Sequence, residues 1–309
     1  MMNNFVVILG PTATGKTSLA ESLCKKFNGV IISVDSRQAY REMEIGTGKK
    51  EQRAKSKGQS YSIPIHLYDV VNPDERLNAY DYSIKAWEKI EEIWSDNKVP
   101  FLVGGTGFYL DVILGRRALV GVGADPKLRN ELENLSKDQL IERLDKLDPQ
   151  KLETIDTNNR YRLTRAVEIA STPKVIPQGH PLRNSKGGLM ERKNYLIIGL
   201  TAENDRLYEI ADGRIDRMME IGLLDEVKKL SEKYGWEAPG LKTLGYREFI
   251  PYFEDKILLS EAAQRLKYNT HAYIRRQKTY FKKNRDIKWF DITDFEFDKV
   301  VSDAVESFL

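Results

Sequence analysis

Phe5-Val6-Val7-Ile8-Leu9-Gly10-Pro11-Thr12-Ala13-Thr14-Gly15-Lys16-Thr17 is the stretch that decides the fold. Its first five residues are an unbroken apolar run rich in β-branched side chains, suited to a strand buried on both faces. Gly10 to Thr17 then satisfies G-x-x-x-x-G-K-[ST], and a helix-like segment, Thr17 to Phe27, follows. Between a strand and a helix, that motif is a phosphate-binding loop. Its glycines let the backbone curl so that N–H groups converge on a phosphate at the helix N-terminus. Lys16 can neutralise an outer phosphate, and the Thr17 hydroxyl can ligate Mg²⁺.

Working outward, Val30 to Val34 is a second buried run. A helix begins around Asp81, with Trp87, Ile90 and Trp94 three and four apart on one stripe. Such a stripe packs on a sheet, which makes the tryptophans core residues rather than a binding platform. Pro100 to Val103 reads as a third buried strand, ending in Gly104-Gly105-Thr106-Gly107. Strands alternating with helices predict an α/β fold, a P-loop-type parallel sheet flanked by helices. From about Arg117 the texture changes. Asp125-Pro126 suits a helix start, Ser136 with Gln139 a capping box, and Asp148-Pro149 another start, with Leu140, Leu144 and Leu147 as an apolar seam. No strand-like run returns until Tyr195 to Leu200, and Thr172 to Gly188 reads as loop. The domain expectation is a catalytic core of residues 1–116 and 191–309 carrying a mostly helical insertion, 117–190. Beyond Leu200 the chain reads as largely helical.

A length of 309 residues allows one large or two modest domains, and 41% hydrophobic with 31% charged residues describes a soluble globular protein. A net charge of +3 does not by itself indicate a polyanionic partner. The single cysteine, Cys24, rules out an internal disulfide and fits a reducing compartment, with an inert core thiol expected on the first helix. The chain shows no signal-like N-terminus and no run of 18 apolar residues, so a cytoplasmic protein with no membrane partner is expected.

Asp35-Ser36-Arg37-Gln38 follows the second strand, at the carboxyl edge where such sheets place ligands. Three roles are open to a carboxylate there: binding Mg²⁺, accepting a proton from a nucleophile, or capping a turn. Thr106 ends the third strand on the same edge and can reach the same phosphates. Between Leu259 and Lys283, Lys267, His271, Arg275, Lys278 and Lys282 recur on one helical face, and no acidic residue lies between Glu261 and Asp286. An unbalanced basic stripe fits a nucleic-acid backbone, although a solvated face reads the same way. Leu259, Ala263, Leu266, Thr270, Tyr273, Gln277 and Phe281 are expected to pack inward. Arg160, Arg162 and Arg165 make a second basic cluster, and Arg214 with Arg217 a third. His66, His180 and His271 show no metal-ligand spacing.

Taken together, these residues resemble the tRNA dimethylallyltransferase family over nearly the whole chain. The matching segments are Gly10 to Thr17, Asp35 to Tyr40, Val103 to Tyr109, Arg162 to Glu168, Met218 to Val227, Gly245 to Glu248 and Thr270 to Tyr280. Ile210 stands where the family often has an arginine, and Asp156-Thr157-Asn158-Asn159 replaces its usual approach to the arginine helix. The resemblance implies a Mg²⁺-dependent enzyme that moves the dimethylallyl group of dimethylallyl diphosphate to N6 of the adenine next to the anticodon of tRNAs reading codons that begin with U. By position it implies Asp35, Thr17 and Lys16 as catalytic, with Thr17 on the metal. It implies Gly10, Thr12, Ala13, Thr14, Gly15, Lys16, Thr17, Thr106 and Arg214 on the diphosphate. Along the anticodon stem-loop it implies Asp35, Ser36, Arg37, Gln38, Thr106, Tyr161, Arg162, Arg165, Arg275, Arg276, Gln277 and Lys278. The insertion would be the mobile anticodon-binding domain, the adenine would be flipped out of its stack, and the enzyme would work as a monomer. Two rivals share the phosphate loop. An adenylate isopentenyltransferase acts on a free nucleotide, which needs neither the insertion nor the basic helix; a small-molecule P-loop kinase would use Asp35 on an acceptor hydroxyl.

Overall fold

The computed structural model describes residues 3–51, 63–117, 126–171 and 195–309. By its contacts the chain divides into two compact units, Met1–Arg116 with Met190–Leu309, and Arg117–Leu189. The first unit is built on one sheet. Its strands are β1 (Phe5–Leu9), β2 (Gly29–Ser33), β3 (Ile65–His66), β4 (Val99–Gly104), β5 (Tyr195–Thr201) and β6 (Lys288–Asp291), in the order β3-β2-β4-β1-β5-β6. Every neighbouring pair is parallel. β1 is buried along all five residues, because Val6 is flanked by Phe101 on one side and Leu196 on the other. That double cover is what its unbroken apolar run requires.

Parallel neighbours need crossovers, and α1 (Lys16–Phe27) supplies the one from β1 to β2, burying Leu19, Ala20, Leu23 and Cys24. Burial pushes the Cys24 thiol up, so it stays protonated and inert. α2 (Ala79–Ser95) starts at Asn78, whose side chain accepts the N–H groups of Tyr80 and Asp81. Trp87 and Ile90 are buried on its sheet face, and the Trp87 and Trp94 ring N–H groups donate to the carbonyls of Ile113 and Asn4. Trp87 is a core residue, as expected, while Trp94 is half-buried. α3 (Gly107–Ile113) follows β4 directly.

In the second unit, α4 (Pro126–Glu133), α5 (Lys137–Leu147), α6 (Pro149–Thr154) and α7 (Arg160–Ser171) close on Leu132, Leu140, Leu144, Leu163 and Val167. The Ser136–Gln139 capping box opens α5, and Asp148 caps α6 through the Lys151 N–H. Leu147 leaves the expected seam and is exposed. The readings of Asp125 as a cap and of Thr172 to Gly188 as a loop lie outside the described residues, as does His180.

Back in the first unit, α8 (Asn204–Glu220), α9 (Leu223–Tyr234), the short α10 (Ile250–Phe253), α11 (Leu259–Phe281) and α12 (Phe297–Glu306) complete the chain. A second core forms around Met43, Ile215, Met218, Leu223, Leu230, Tyr246 and Leu266. Two strands depart from the sequence expectation. β3 has two residues, and β6 is a four-residue edge strand flanked by charged Lys288 and Asp291. Strands this short hold their shape through the ladder to a neighbour, which local propensity does not reveal. None of the described helices is long and apolar enough to cross a membrane.

Candidate active site at the phosphate loop

The carboxyl ends of β1, β2 and β4 converge, and each carries one wall of the site. At the end of β1, Gly10 takes φ +149°, and a Cβ there would lie 2.4 Å from the Leu200 carbonyl oxygen, so only glycine lets the loop leave the sheet beside β5. The loop then fastens on itself. Thr14 donates its hydroxyl to the Pro11 carbonyl at 2.9 Å, and Lys16 Nζ donates to the same oxygen at 2.7 Å. Thr17 is half-buried in the first turn of α1.

The β2 wall carries Asp35. Its Oδ1 accepts the Arg37 backbone N–H at 2.9 Å, and Arg37 Nε lies 3.5 Å from the same atom. The carboxylate side chain is 16% exposed. Burial pushes its pKa up, but the Arg37 charge and hydrogen bonds, with Lys16 beyond, hold it below the usual range. Asp35 is therefore ionised at neutral pH, and a base is open for use. Arg37 Nε is buried with no hydrogen-bond partner among the described residues. Its nearest charge is the Asp35 carboxylate, at ion-pair distance. The Thr106 hydroxyl at the β4 end accepts the Ser36 N–H at 3.1 Å, locking the second wall to the third.

Arg214 reaches in from α8, with Nε 3.4 Å from Glu51 Oε2. It passes so close to Gly48 that a Cβ there would sit 1.7 Å from the guanidinium, and Gly48 also has φ +79°. The segment that carries Gly48 is shaped from α9. The Glu226 carboxylate accepts the backbone N–H groups of Glu44, Ile45 and Gly46 at 2.8–3.1 Å and the Tyr246 hydroxyl at 2.7 Å. A recess beside the loop is lined by the cationic Arg37 and Arg214, by Thr12, Ala13 and Thr47, and by the apolar Ile215, Met218, Leu223, Leu244 and Leu266. A molecule with an anionic head and a small apolar tail matches this lining.

The structure thus brings Gly10 to Thr17, Asp35, Ser36, Arg37, Thr106 and Arg214 into one place. Other candidates are differently employed. Gln38 is spent inside the fold, accepting the Ser33 hydroxyl at 2.7 Å and donating to the Thr47 carbonyl at 3.2 Å. Gln277 is buried, bonded to Thr12 and Gly105. Lys278 Nζ is held by the Ala202 carbonyl at 2.9 Å and Asn204 Oδ1 at 2.8 Å.

The basic stripe of α11 is not unbalanced. Lys267 pairs with Asp216 at 2.6 Å and His271 with Asp212 at 2.8 Å, so these two residues face the acids of α8. Those acids are four apart on α8 and some fifty residues away in sequence, which hid the complementarity. Arg275, Arg276 and Lys282 remain exposed. The inward face also differs by a residue: Ala262 and Ile274 are buried, where Ala263 and Tyr273 were expected. Tyr273 instead stacks its ring 5.3 Å from the Arg37 guanidinium at the site. The sequence reading missed Tyr273, Glu51 and Glu226 as site-shaping residues. Glu226 and Tyr273 each lie within a matched motif, the available signal; Glu51 does not.

The basic clusters also divide. Arg217 is exposed while Arg214 enters the site. In the second unit, Arg160 caps the end of α4 through the carbonyls of Glu133 and Leu135, at 2.9 and 2.7 Å. Arg165 and Arg129 both bind the buried Glu168. Tyr161 and Arg162 are exposed, and Asn159 caps α7 through the Arg162 N–H at 3.1 Å, which gives the unusual Asp156 to Asn159 approach a structural role.

Comparison with known proteins gives a consistent answer. The profile described as IPP transferase matches residues 38–284, and the one described as isopentenyl transferase matches residues 3–61. A tRNA dimethylallyltransferase of Roseiflexus is 41% identical over 283 residues, 90% of each chain. That of Halalkalibacterium halodurans is 36% identical over 306 residues, covering 97% of this chain and 95% of the relative. The crystal structure of the full-length tRNA isopentenylpyrophosphate transferase of Bacillus halodurans superposes with a TM-score of 0.71 at 34% identity, covering 99% of this chain and 96% of that one. A eukaryotic dimethylallyltransferase solved acting on tRNA gives 0.80 at 25% identity, with 99% and 80% covered. With its phosphate loop, its facing carboxylate and these relatives, the chain belongs to the IPP transferase family, that of the tRNA dimethylallyltransferases.

Proposed function

We propose that this prenyltransferase moves a dimethylallyl group from dimethylallyl diphosphate to N6 of the adenine next to the anticodon in tRNAs reading codons that begin with U. The recess carries this reading. Arg214 with the phosphate loop receives a diphosphate, and the apolar part of the lining, from Ile215 to Leu266, is wrong for the polar acceptor of a kinase but suits a five-carbon tail. In the reaction the adenine amine attacks C1 of the donor while the C1–O bond breaks and its electron pair leaves with diphosphate. Asp35 Oδ1 is engaged by Arg37, so the second oxygen accepts the proton that the amine releases. Lys16, Arg214, Thr106 and the amides of the phosphate loop stabilise the charge that grows on the leaving group.

The donor set fits magnesium. Among the described residues no cluster of three acidic, histidine or cysteine side chains could cage an ion. Magnesium needs no such cage, because it takes much of its octahedron from substrate phosphates and water. Thr17 would hold it, and when bound it would offset the negative charge of the diphosphate. For the RNA, exposed Arg275 and Arg276 on α11 and exposed Tyr161 and Arg162 on α7 are the contacts, the last two making the second unit the mobile anticodon-binding domain. Arg165 joins them from its Glu168 pair, and Ser36 and Arg37 meet the flipped base. A single chain supplies both donor loop and base, consistent with a monomer working in the cytoplasm, where its tRNA substrate is.

The test is incubation with Mg²⁺, labelled dimethylallyl diphosphate and either unmodified tRNA or free adenosine monophosphate, followed by nucleoside analysis. Label in a prenylated adenosine from tRNA is expected. Label only in the free nucleotide, or ATP-dependent phosphorylation without prenyl transfer, would overturn the proposal.

The pH dependence follows from Lys16. Burial lowers its pKa to about 7; Asp35 pulls the other way, and Arg214 and Arg37 add to the lowering. Below that pH the ammonium is charged and attracts the diphosphate. Above it the free enzyme carries a neutral amine that must take up a proton when the donor binds, so the donor KM is expected to climb by up to about tenfold per pH unit above ~7. The Lys16→Arg variant, always cationic, should lack that climb. A donor KM that falls with rising pH in the native enzyme would contradict this account.

A further inference from the structure

Gln277 is 6% exposed in the second-to-last turn of α11, and both ends of its amide are used. Its Oε1 accepts the Thr12 N–H of the phosphate loop at 2.9 Å, and its Nε2 donates to the Gly105 carbonyl at 2.9 Å, in the turn that ends β4. Resting on the donor reading above, we propose that Gln277 is a positioning residue for prenyl transfer, holding the phosphate loop at a set distance from the β4 turn, whose Thr106 is in turn bonded to the segment that carries Asp35. This is a different role from contact with RNA.

Three observations support it. First, the Thr12 N–H is one of the loop amides that could turn toward an anion, and Gln277 claims it. The amides that follow, with Lys16, are left for the diphosphate, so Gln277 selects which donors face the leaving group. Second, the amide has one workable orientation, because a flip would set donor against donor at Thr12 and acceptor against acceptor at Gly105. Third, the fit is tight: a Cβ at Gly105 would lie 2.3 Å from Nε2. Thr106, the next residue, accepts the Ser36 N–H beside Asp35. One side chain on α11 therefore spans the gap between the leaving-group cradle and the base.

The test uses two variants of the full chain with steady-state kinetics and a separate tRNA-binding titration without donor. Gln277→Leu keeps the volume and removes both bonds. Its donor KM is expected to rise roughly tenfold and kcat to fall several-fold, with tRNA affinity within about twofold of native. Gln277→Glu always accepts from Thr12, but donates to Gly105 only when protonated. Its activity relative to native should therefore recover as pH falls, a signature that a packing defect does not produce. An unchanged donor KM and kcat in Gln277→Leu would overturn the proposal. So would lost tRNA affinity with donor KM intact, or a flat relative pH profile for Gln277→Glu. Failure of the parent reading looks different, since the native enzyme would then transfer no prenyl group.

Discussion

Asp35→Asn is expected to lower single-turnover prenyl transfer by about 10²-fold or more at saturating donor and tRNA. The asparagine has the same shape, and its oxygen can still accept the Arg37 N–H that now holds Oδ1 at 2.9 Å. It cannot take up a proton at neutral pH. The native carboxyl, held below its usual range by Arg37 and Lys16 against the effect of burial, is ready to do so. Because the side chain is largely covered, tRNA affinity should stay within a few-fold, as a filter-binding titration would read. Equal losses in turnover and in tRNA affinity would show that the carboxylate is a docking contact and not the base.

The second large effect is on the framework. Glu226→Ala removes the acceptor shared by the N–H groups of Glu44, Ile45 and Gly46 and by the Tyr246 hydroxyl. Leaving a buried donor unpaired costs about 1–3 kcal/mol, and water entering the gap left by the side chain recovers part of it. A net loss of roughly 3–6 kcal/mol is expected, about 6–20 °C in the unfolding midpoint of the first unit. The same segment carries Gly48, past which Arg214 runs, so donor affinity should fall even at temperatures where the variant is folded. Calorimetry together with donor KM at low temperature checks both parts. A midpoint within 2 °C or so of native would mean that the loop amides find other partners.

Glu226 also illustrates where reading the sequence stops. Its motif is visible, but its task is to bind a loop some 180 residues earlier. The α11 stripe makes the same point in reverse. Lys267, His271 and Lys278 have a clear period that fits a polyanion, yet within the fold they already meet Asp216, Asp212, the Ala202 carbonyl and Asn204. Periodicity says which residues share a face, not what that face meets. β3 and β6 escaped notice because edge strands of two and four residues depend on the ladder of their neighbours and not on local apolar content.

By itself the sequence determined what local chemistry can encode: the buried β1 run, the phosphate loop at its end, the parallel α/β arrangement, the helical character of residues 126–171, and the family to which these belong. Each depends on contacts within a few residues or on a spacing that one element imposes. Only the tertiary structure decided that Asp35 is held ionised by Arg37, that Gln277 bridges the two glycine turns, and that a recess lined by two arginines and several apolar side chains lies beside the loop. Those depend on burial and on distances between residues far apart in the chain, which the order of residues specifies only through the complete fold.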